Sequence, residues 1–66
     1  MAEGYLKKQD NGRYGIDDYI DLSCGRRVEV KTEYGWITMR VEHDGRDYFF
    51  INDGISFYPK KVYVRY

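Results

Sequence analysis

The chain has 66 residues, of which eleven are basic and eleven acidic, and it contains one cysteine and one histidine. A chain this short buries only about 60% of the surface that its unfolded form exposes, so it needs large side chains for its core. Eight Tyr, three Phe and one Trp supply them. The lone Cys24 excludes an intrachain disulfide, and the zero net charge disfavours dominant phosphate binding. We therefore predict one domain over residues 1–66.

The composition also indicates a compartment. A secreted domain of this size usually carries several disulfides, so a single cysteine favours the reducing cytoplasm. The sequence opens without a charged-then-apolar leader, and it contains no apolar run approaching the roughly 18 residues that span a bilayer. We expect a cytoplasmic protein that does not bind membranes.

Turn signals follow one another at nearly regular spacing along the chain, at 10–12, 34–35, 44–45 and 52–54. The segments between them alternate with period two, which predicts strands at Arg13–Ile16, Arg26–Thr32, Trp36–His43, Asp47–Ile51 and 62–65. The segment Ile16–Leu22 fits a helical turn or a strand, and we favour a loop leading into a short strand. The predicted fold is all-β, a small five-stranded SH3-like barrel of antiparallel strands.

Side-chain parity divides these strands into two faces. The inward set is predicted to be Ile37, Met39, Val41, Phe49, Ile51, Val62 and Val64. The outward set is then Trp36, Arg40, Tyr48, Phe50, Tyr63 and Arg65, and these six are the predicted binding residues. Outward Trp, Tyr and Arg side chains dominate binding hot spots. The alternative is that a very small barrel packs aromatic side chains on both faces of its sheet.

The chain resembles two groups of proteins. Residues 25–64, through Val28–Glu29–Val30, Gly35–Trp36–Ile37 and Asp53–Gly54, resemble the strand rhythm of SH3-like barrels of the Tudor kind. Nearly the whole chain resembles a small bacterial family of unknown function whose members occur in chromosomes and mobile genetic elements. That resemblance is carried by 12–14, 22–25, 28–30, 36–37, 40–42 and 64–65. The family brings no known activity, so this resemblance does not settle the function.

Residues for catalysis or metal binding are scarce. Cys24 and His43 are the only candidates for a thiol–imidazole pair, and each is better explained by packing or by a neighbouring turn. One Cys and one His fall short of a four-ligand metal set. The acidic cluster of Asp17, Asp18 and Asp21 lacks the spacing of a calcium loop. We predict no enzyme activity, no catalytic residue, no metal and no cofactor.

Two classes of function are left. The favoured one is a protein-interaction module, an adaptor or an inhibitor, with a mobile-element antagonist of a host or defence complex as its specific form. The alternative is a nucleic-acid-binding barrel that stacks bases on Trp36 and Tyr48 and contacts phosphates through Arg40, Arg65 and the Lys60–Lys61 doublet. A cage of aromatic side chains for a methylated cation is a third hypothesis. Exposed aromatic side chains and an open strand edge would also suit a homodimer.

Overall fold

The computed structural model describes residues 2–16 and 21–66. Within these ranges the chain forms antiparallel β-strands and no helix, which confirms the all-β prediction. The strands are β1 (Glu3–Tyr5), β2 (Lys7–Lys8), β3 (Tyr14–Gly15), β4 (Arg27–Thr32), β5 (Gly35–His43), β6 (Tyr48–Asn52), β7 (Ile55–Phe57) and β8 (Tyr63–Arg65). The described residues contain no helix with the length and hydrophobicity needed to cross a lipid bilayer.

The strands form an open six-stranded sheet in the order β1-β8-β4-β5-β6-β7 and a separate ribbon of β2 and β3. The predicted count of five strands is wrong, because β1, β2 and β7 are two or three residues long and too short to show a period-two pattern. The predicted loop and short strand over Ile16–Leu22 fall largely on 17–20, outside the described residues. Asp21 and Leu22 are not part of a strand.

A tight turn introduces β4. Arg26 N–H donates to Ser23 C=O (3.1 Å), and Gly25 lies in the left-handed region at φ 86°. Gly25 N–H donates to Val41 C=O (2.8 Å), while Val41 N–H donates to Arg26 C=O (2.8 Å), so two residues of one strand face one residue of the next. This is a β-bulge whose first position requires glycine. It sets the start of the register in which Arg27 lies opposite Arg40.

The core lies between one face of the sheet, which we call the inner face, and the β2–β3 ribbon. Its buried members are Ala2, Leu6, Ile16, Leu22, Val28, Val30, Met39, Val41, Phe50 and Val64. Ile16 packs so closely on β1 that a Cβ on Gly4 would lie 3.2 Å from its Cγ2. Ile16 N–H donates to the Tyr66 hydroxyl (3.2 Å), and Lys8 Nζ lies 3.3 Å from the Asp47 carboxylate. These contacts hold the ribbon and Ile16 against the sheet.

Parity correctly assigns β4, β5 and β8 but not β6. Met39, Val41 and Val64 are buried as predicted, whereas Phe50, predicted to point outward, is 0% exposed. Phe50 lies opposite Val41 and Phe57 and packs its ring edge-to-face on Phe57 at 5.8 Å. The other β6 residues are inverted with it. Tyr48 therefore points to the inner face, and Phe49 and Ile51 point to the opposite, outer face.

The phase of β6 is set by the hairpin that precedes it. Residues 44–47 form a four-residue loop, and His43 lies opposite Tyr48. Directly opposed residues of an antiparallel pair lie on the same face. A loop with an even number of residues pairs odd-numbered positions with even-numbered ones, so inward Val41 requires an even-numbered inward partner. That partner is Phe50.

Candidate functional site

Four side chains from three neighbouring strands form the aromatic–basic cluster on the outer face, namely Lys31, Trp36, Tyr63 and Arg65. The Arg65 guanidinium carbon lies 4.0 Å from the centre of the Trp36 ring, and the Trp36 and Tyr63 ring centres are 6.2 Å apart. Lys31 Nζ lies 5.6 Å from the centre of the Tyr63 ring. A cation and the face of an aromatic ring attract each other, and this attraction orders these long side chains. The site is therefore a preformed patch with large apolar area and polar ends.

The strands bring the cluster together through their register. Lys31 lies directly opposite Trp36 in the β4–β5 hairpin, and Arg65 lies opposite Glu29 across the β4–β8 pair. These outer-face positions alternate with the buried residues Val28, Val30 and Val64, so burying one set presents the other.

Acidic side chains accompany the cluster. Arg65 Nε donates to Glu29 Oε2 at 2.5 Å. The Tyr63 hydroxyl donates to Glu3 Oε2 at 2.9 Å, and this hydrogen bond to the carboxylate raises the pKa of Tyr63 above its usual 10.0. Two of the polar ends of the cluster are thus already occupied by carboxylates. The patch is close to neutral.

A shallow depression lies beside the cluster on the same sheet. It has a volume of about 320 Å³, and its lining includes Arg27, Thr38, Arg40 and Ile51. Arg27 lies directly opposite Arg40. Arg40 Nε lies 2.6 Å from Glu42 Oε2, which offsets the repulsion between two arginines at a cross-strand position. The depression therefore carries the positive charge of Arg27, whereas the charge of Arg40 is neutralised by Glu42.

The six predicted binding residues thus divide into two sets. Trp36, Arg40, Tyr63 and Arg65 share the outer face, as predicted. Tyr48 and Phe50 lie on the inner face: Phe50 is core, and Tyr48 is half-buried against the core. Neither can join Trp36 at one binding surface, so the predicted outward placement of these two residues is wrong.

Tyr48 makes its own contacts near the β2–β3 ribbon. Its ring packs edge-to-face on His43 with centres 4.6 Å apart, and its hydroxyl accepts a hydrogen bond from Arg13 Nε at 3.4 Å. That hydrogen bond raises the pKa of Arg13 above its usual value. Packing and the hydrogen bond from Arg13, which precedes β3, therefore explain the position of Tyr48.

Three residues of the outer face were missing from the predicted site. Tyr5 is 64% exposed and packs edge-to-face on Tyr63 at 5.1 Å, but β1 was not predicted, so Tyr5 had no neighbours to be grouped with. Period-two alternation in β4 puts Glu29 and Lys31 on the face opposite Val28 and Val30, but neither was among the predicted binding residues. The predicted hairpin of β4 and β5 could have identified Lys31, because pairing Thr32 with Gly35 puts Lys31 directly opposite Trp36.

The loop between β5 and β6 is held by its own hydrogen bonds. Asp44 Oδ1 accepts from Arg46 N–H (2.7 Å) and Asp47 N–H (2.8 Å), and Asp44 Oδ2 accepts from the Tyr58 hydroxyl. The Tyr58 hydrogen bond, with the two backbone donors, lowers the pKa of Asp44 to about 2 and raises that of Tyr58. These hydrogen bonds give Asp44 a structural role in the loop between β5 and β6.

The two residues with catalytic potential lie in turns. Cys24 is exposed in the turn before the bulge, so the prediction that it packs as a small apolar residue is wrong. His43 ends β5 and accepts the Gly45 N–H on Nδ1 at 3.0 Å, the turn-flanking role expected of it. Over 2–16 and 21–66, no three His, Cys, Asp or Glu side chains are grouped to hold a metal ion.

Comparison with known families identifies the chain. The model of a family described as a domain of unknown function (DUF5348) matches residues 4–64. The chain belongs to this family. Every strand of the DUF5348 domain lies wholly or partly in the matched range, and so does the aromatic–basic cluster except Arg65. No curated protein and no solved structure matches the chain. The predicted membership of a small uncharacterised family is confirmed.

Proposed function

We propose that this DUF5348 domain is a non-enzymatic protein-interaction module, an adaptor or an inhibitor, that binds its partner through the outer face. The observation that carries the proposal is the half-exposed patch made by Trp36, Tyr63 and Arg65, with ring and guanidinium groups 4.0–6.2 Å apart. Trp, Tyr and Arg contribute most strongly to protein interfaces because they bury large areas at low entropic cost. Here their mutual contacts fix them before a partner arrives.

The charge pattern of the face favours a protein over a nucleic acid. Arg65 is paired with Glu29, and Arg40 is paired with Glu42. A phosphate backbone running across this face would meet Glu29 and Glu42 beside the two arginines. A protein surface of mixed charge can match both signs, and buried rings supply the affinity.

The nucleic-acid alternative keeps one supporting observation. Tyr5, Tyr63 and Trp36 form a row of aromatic rings across an open sheet, and Lys31 lies beside it, the arrangement on which single strands stack. Tyr48, which the sequence placed in this row, points to the other face. The two hypotheses differ in salt dependence, since phosphate contacts release counterions and apolar protein contacts do not.

The experiment is capture of partners from a lysate of the source cells, with and without nuclease treatment, by the wild-type domain and by Trp36→Ala. The matched control is Tyr34→Ala, which removes a ring that is 90% exposed at the tip of the same hairpin. We expect one protein to bind the wild type and the control and to be lost from Trp36→Ala. A folded Trp36→Ala that captures the same protein contradicts the proposal, and a partner lost on nuclease treatment supports the alternative.

Two finer elements of the proposal rest on resemblance. Kinship with SH3-like modules would place the ligand across the face of a small curved sheet, which agrees with the position of Trp36. An origin in bacteria and mobile elements would suit a cytoplasmic antagonist of a host or defence complex, because a surface of paired charges and rings can cover a partner without chemistry of its own. Identification of the captured protein tests both.

A further inference from the structure

The two edges of the six-stranded sheet differ in protection. Edge strand β1 carries Glu3, and a charge at an edge discourages pairing with another chain. Edge strand β7 has the sequence Ile55-Ser56-Phe57, with neither a charge nor a proline, and no other described strand pairs with its outer side. An uncharged open edge is a template for a further strand.

The backbone of β7 presents a donor and an acceptor to solvent at Ser56. Val41 directs its N–H and C=O towards β4, so the alternating pattern directs those of Arg40 towards its partner Ile51 in β6. Ile51 therefore faces away from β7. Ser56 lies opposite Ile51 at a non-hydrogen-bonded position and directs its own N–H and C=O outward.

An apolar groove of about 400 Å³ lies on the inner face next to this edge. Its lining is Val30, Thr32, Ile37, Met39, Asn52, Asp53, Ile55 and Phe57. Ile55 is 68% exposed and Ile37 is 40% exposed, although both lie on the face that elsewhere forms the core. Large apolar side chains on a core face and beside an unpaired strand indicate a surface that another chain covers.

We propose that a second copy of this chain covers it, with β7 of each copy pairing antiparallel across a two-fold axis through Ser56. The residue on such an axis bonds to itself, so Ser56 N–H of each copy donates to the second copy's Ser56 C=O. Ile55 of one copy then lies opposite the second copy's Phe57. Because both residues lie on the inner face, the two grooves become one continuous apolar surface.

Three features of the chain favour a second copy as the occupant. The segment Ile55-Ser56-Phe57 is apolar on both sides of its central residue, so it is complementary to itself in an antiparallel pair. The zero net charge removes long-range repulsion between copies. In this register Asp53 of one copy lies opposite the second copy's Pro59 and next to the second copy's Lys60, which brings opposite charges together at both ends.

The test is sedimentation equilibrium of the purified chain up to about 1 mM, a range that covers the weak association expected of so short an edge. Ser56→Pro removes the outward N–H and leaves the bonds between β6 and β7 intact, since proline is tolerated on edge strands. Ile55→Lys places a charge on the edge. The matched control is Tyr5→Lys, which makes the same kind of change on the opposite edge.

We expect the wild type to dimerise, Ser56→Pro and Ile55→Lys each to weaken dimerisation at least about tenfold, and Tyr5→Lys to leave it unchanged. Circular dichroism establishes that each variant is folded, and either β7 variant suffices if the other does not fold. A wild type that is monomeric at about 1 mM, or a dimer that the folded β7 variants leave unchanged, overturns the proposal. Trp36→Ala leaves this dimer intact if the outer face is a separate surface.

Discussion

The inverted phase of β6 makes a sharp prediction about two adjacent phenylalanines. Phe50 is fully buried opposite Val41 and Phe57, whereas Phe49 is half-buried on the outer face with one ring contact, to Tyr58 at 6.1 Å. Replacing each with alanine removes the same atoms from neighbouring positions of one strand. The difference between the two variants therefore reports which side chain belongs to the core.

The magnitudes follow from burial. Truncation of a buried Phe costs about 3–5 kcal/mol, because the lost transfer free energy and the cavity add. Loss of a half-exposed ring and one aromatic contact costs about 1 kcal/mol. In a domain of this size each kcal/mol lowers the melting temperature by roughly 4–8 °C, so Phe50→Ala lowers it by at least about 12 °C and Phe49→Ala by roughly 4–8 °C.

The assay is urea and thermal unfolding of both variants, followed by far-UV circular dichroism and by the fluorescence of Trp36. If Phe50→Ala does not fold, Phe50→Leu keeps most of the volume and still ranks the two sites. Equal costs at the two positions, or a larger cost for Phe49→Ala, would refute the assignment of Phe50 to the inner face and with it the register of the β5–β6 hairpin.

Three further predictions follow. Because the pKa of Asp44 is lowered to about 2 from 3.8, its contribution to stability is complete above pH 4 and is lost as the pH falls from about 4 to 2; Tyr58→Phe brings that pKa back towards 3.8 in an NMR titration. Gly25→Ala places a residue with a Cβ at a φ of 86° and lowers the free energy of unfolding by about 1–3 kcal/mol, measured in urea. This cost comes from the backbone angle, because an added Cβ would meet no other atom there. Arg65→Gln removes the cation over the Trp36 ring, shifts the fluorescence emission of Trp36 and lowers the free energy of unfolding by about 0.5–1 kcal/mol.

Each of these has a contrary outcome. A Tyr58→Phe protein whose Asp44 titrates unchanged would mean that the backbone donors alone lower its pKa. A stable Gly25→Ala would remove the requirement for glycine at the bulge. An Arg65→Gln protein with the wild-type emission spectrum of Trp36 would mean that guanidinium and indole are apart in solution, and the aromatic–basic cluster would not be preformed.

The sequence predicts the strands that alternate cleanly. Val28 and Val30 alternate with Arg27, Glu29 and Lys31, so polar residues fix the phase of β4. In β6 the run Tyr48-Phe49-Phe50-Ile51 is apolar throughout, and no polar residue marks the solvent side. The missing information lay in the preceding loop, since either a two-residue or a four-residue loop pairs Val41 with an even-numbered residue.

Other features could not be derived from local patterns. β1 and β7 are three residues each, and they become strands because β8 and β6 offer them partners. The exposure of Ile55 and Ile37 depends on which other segments cover that end of the inner face, which is a property of tertiary packing. The composition predicted an aromatic surface, and the register decided which aromatic side chains belong to it.

The position of β8 has a consequence for how the chain folds. β8 lies inside the sheet, between β1 and β4, so the residues at 63–65 link the first strand to the rest. During synthesis, Glu3–Tyr5 has no strand to pair with until Tyr63–Arg65 has left the ribosome. The contact between these two strands is distant in sequence, and such contacts form slowly. The sheet is therefore completed only once its last strand is available, and a chain truncated before Tyr63 loses two strands of the sheet, β8 and β1, rather than one.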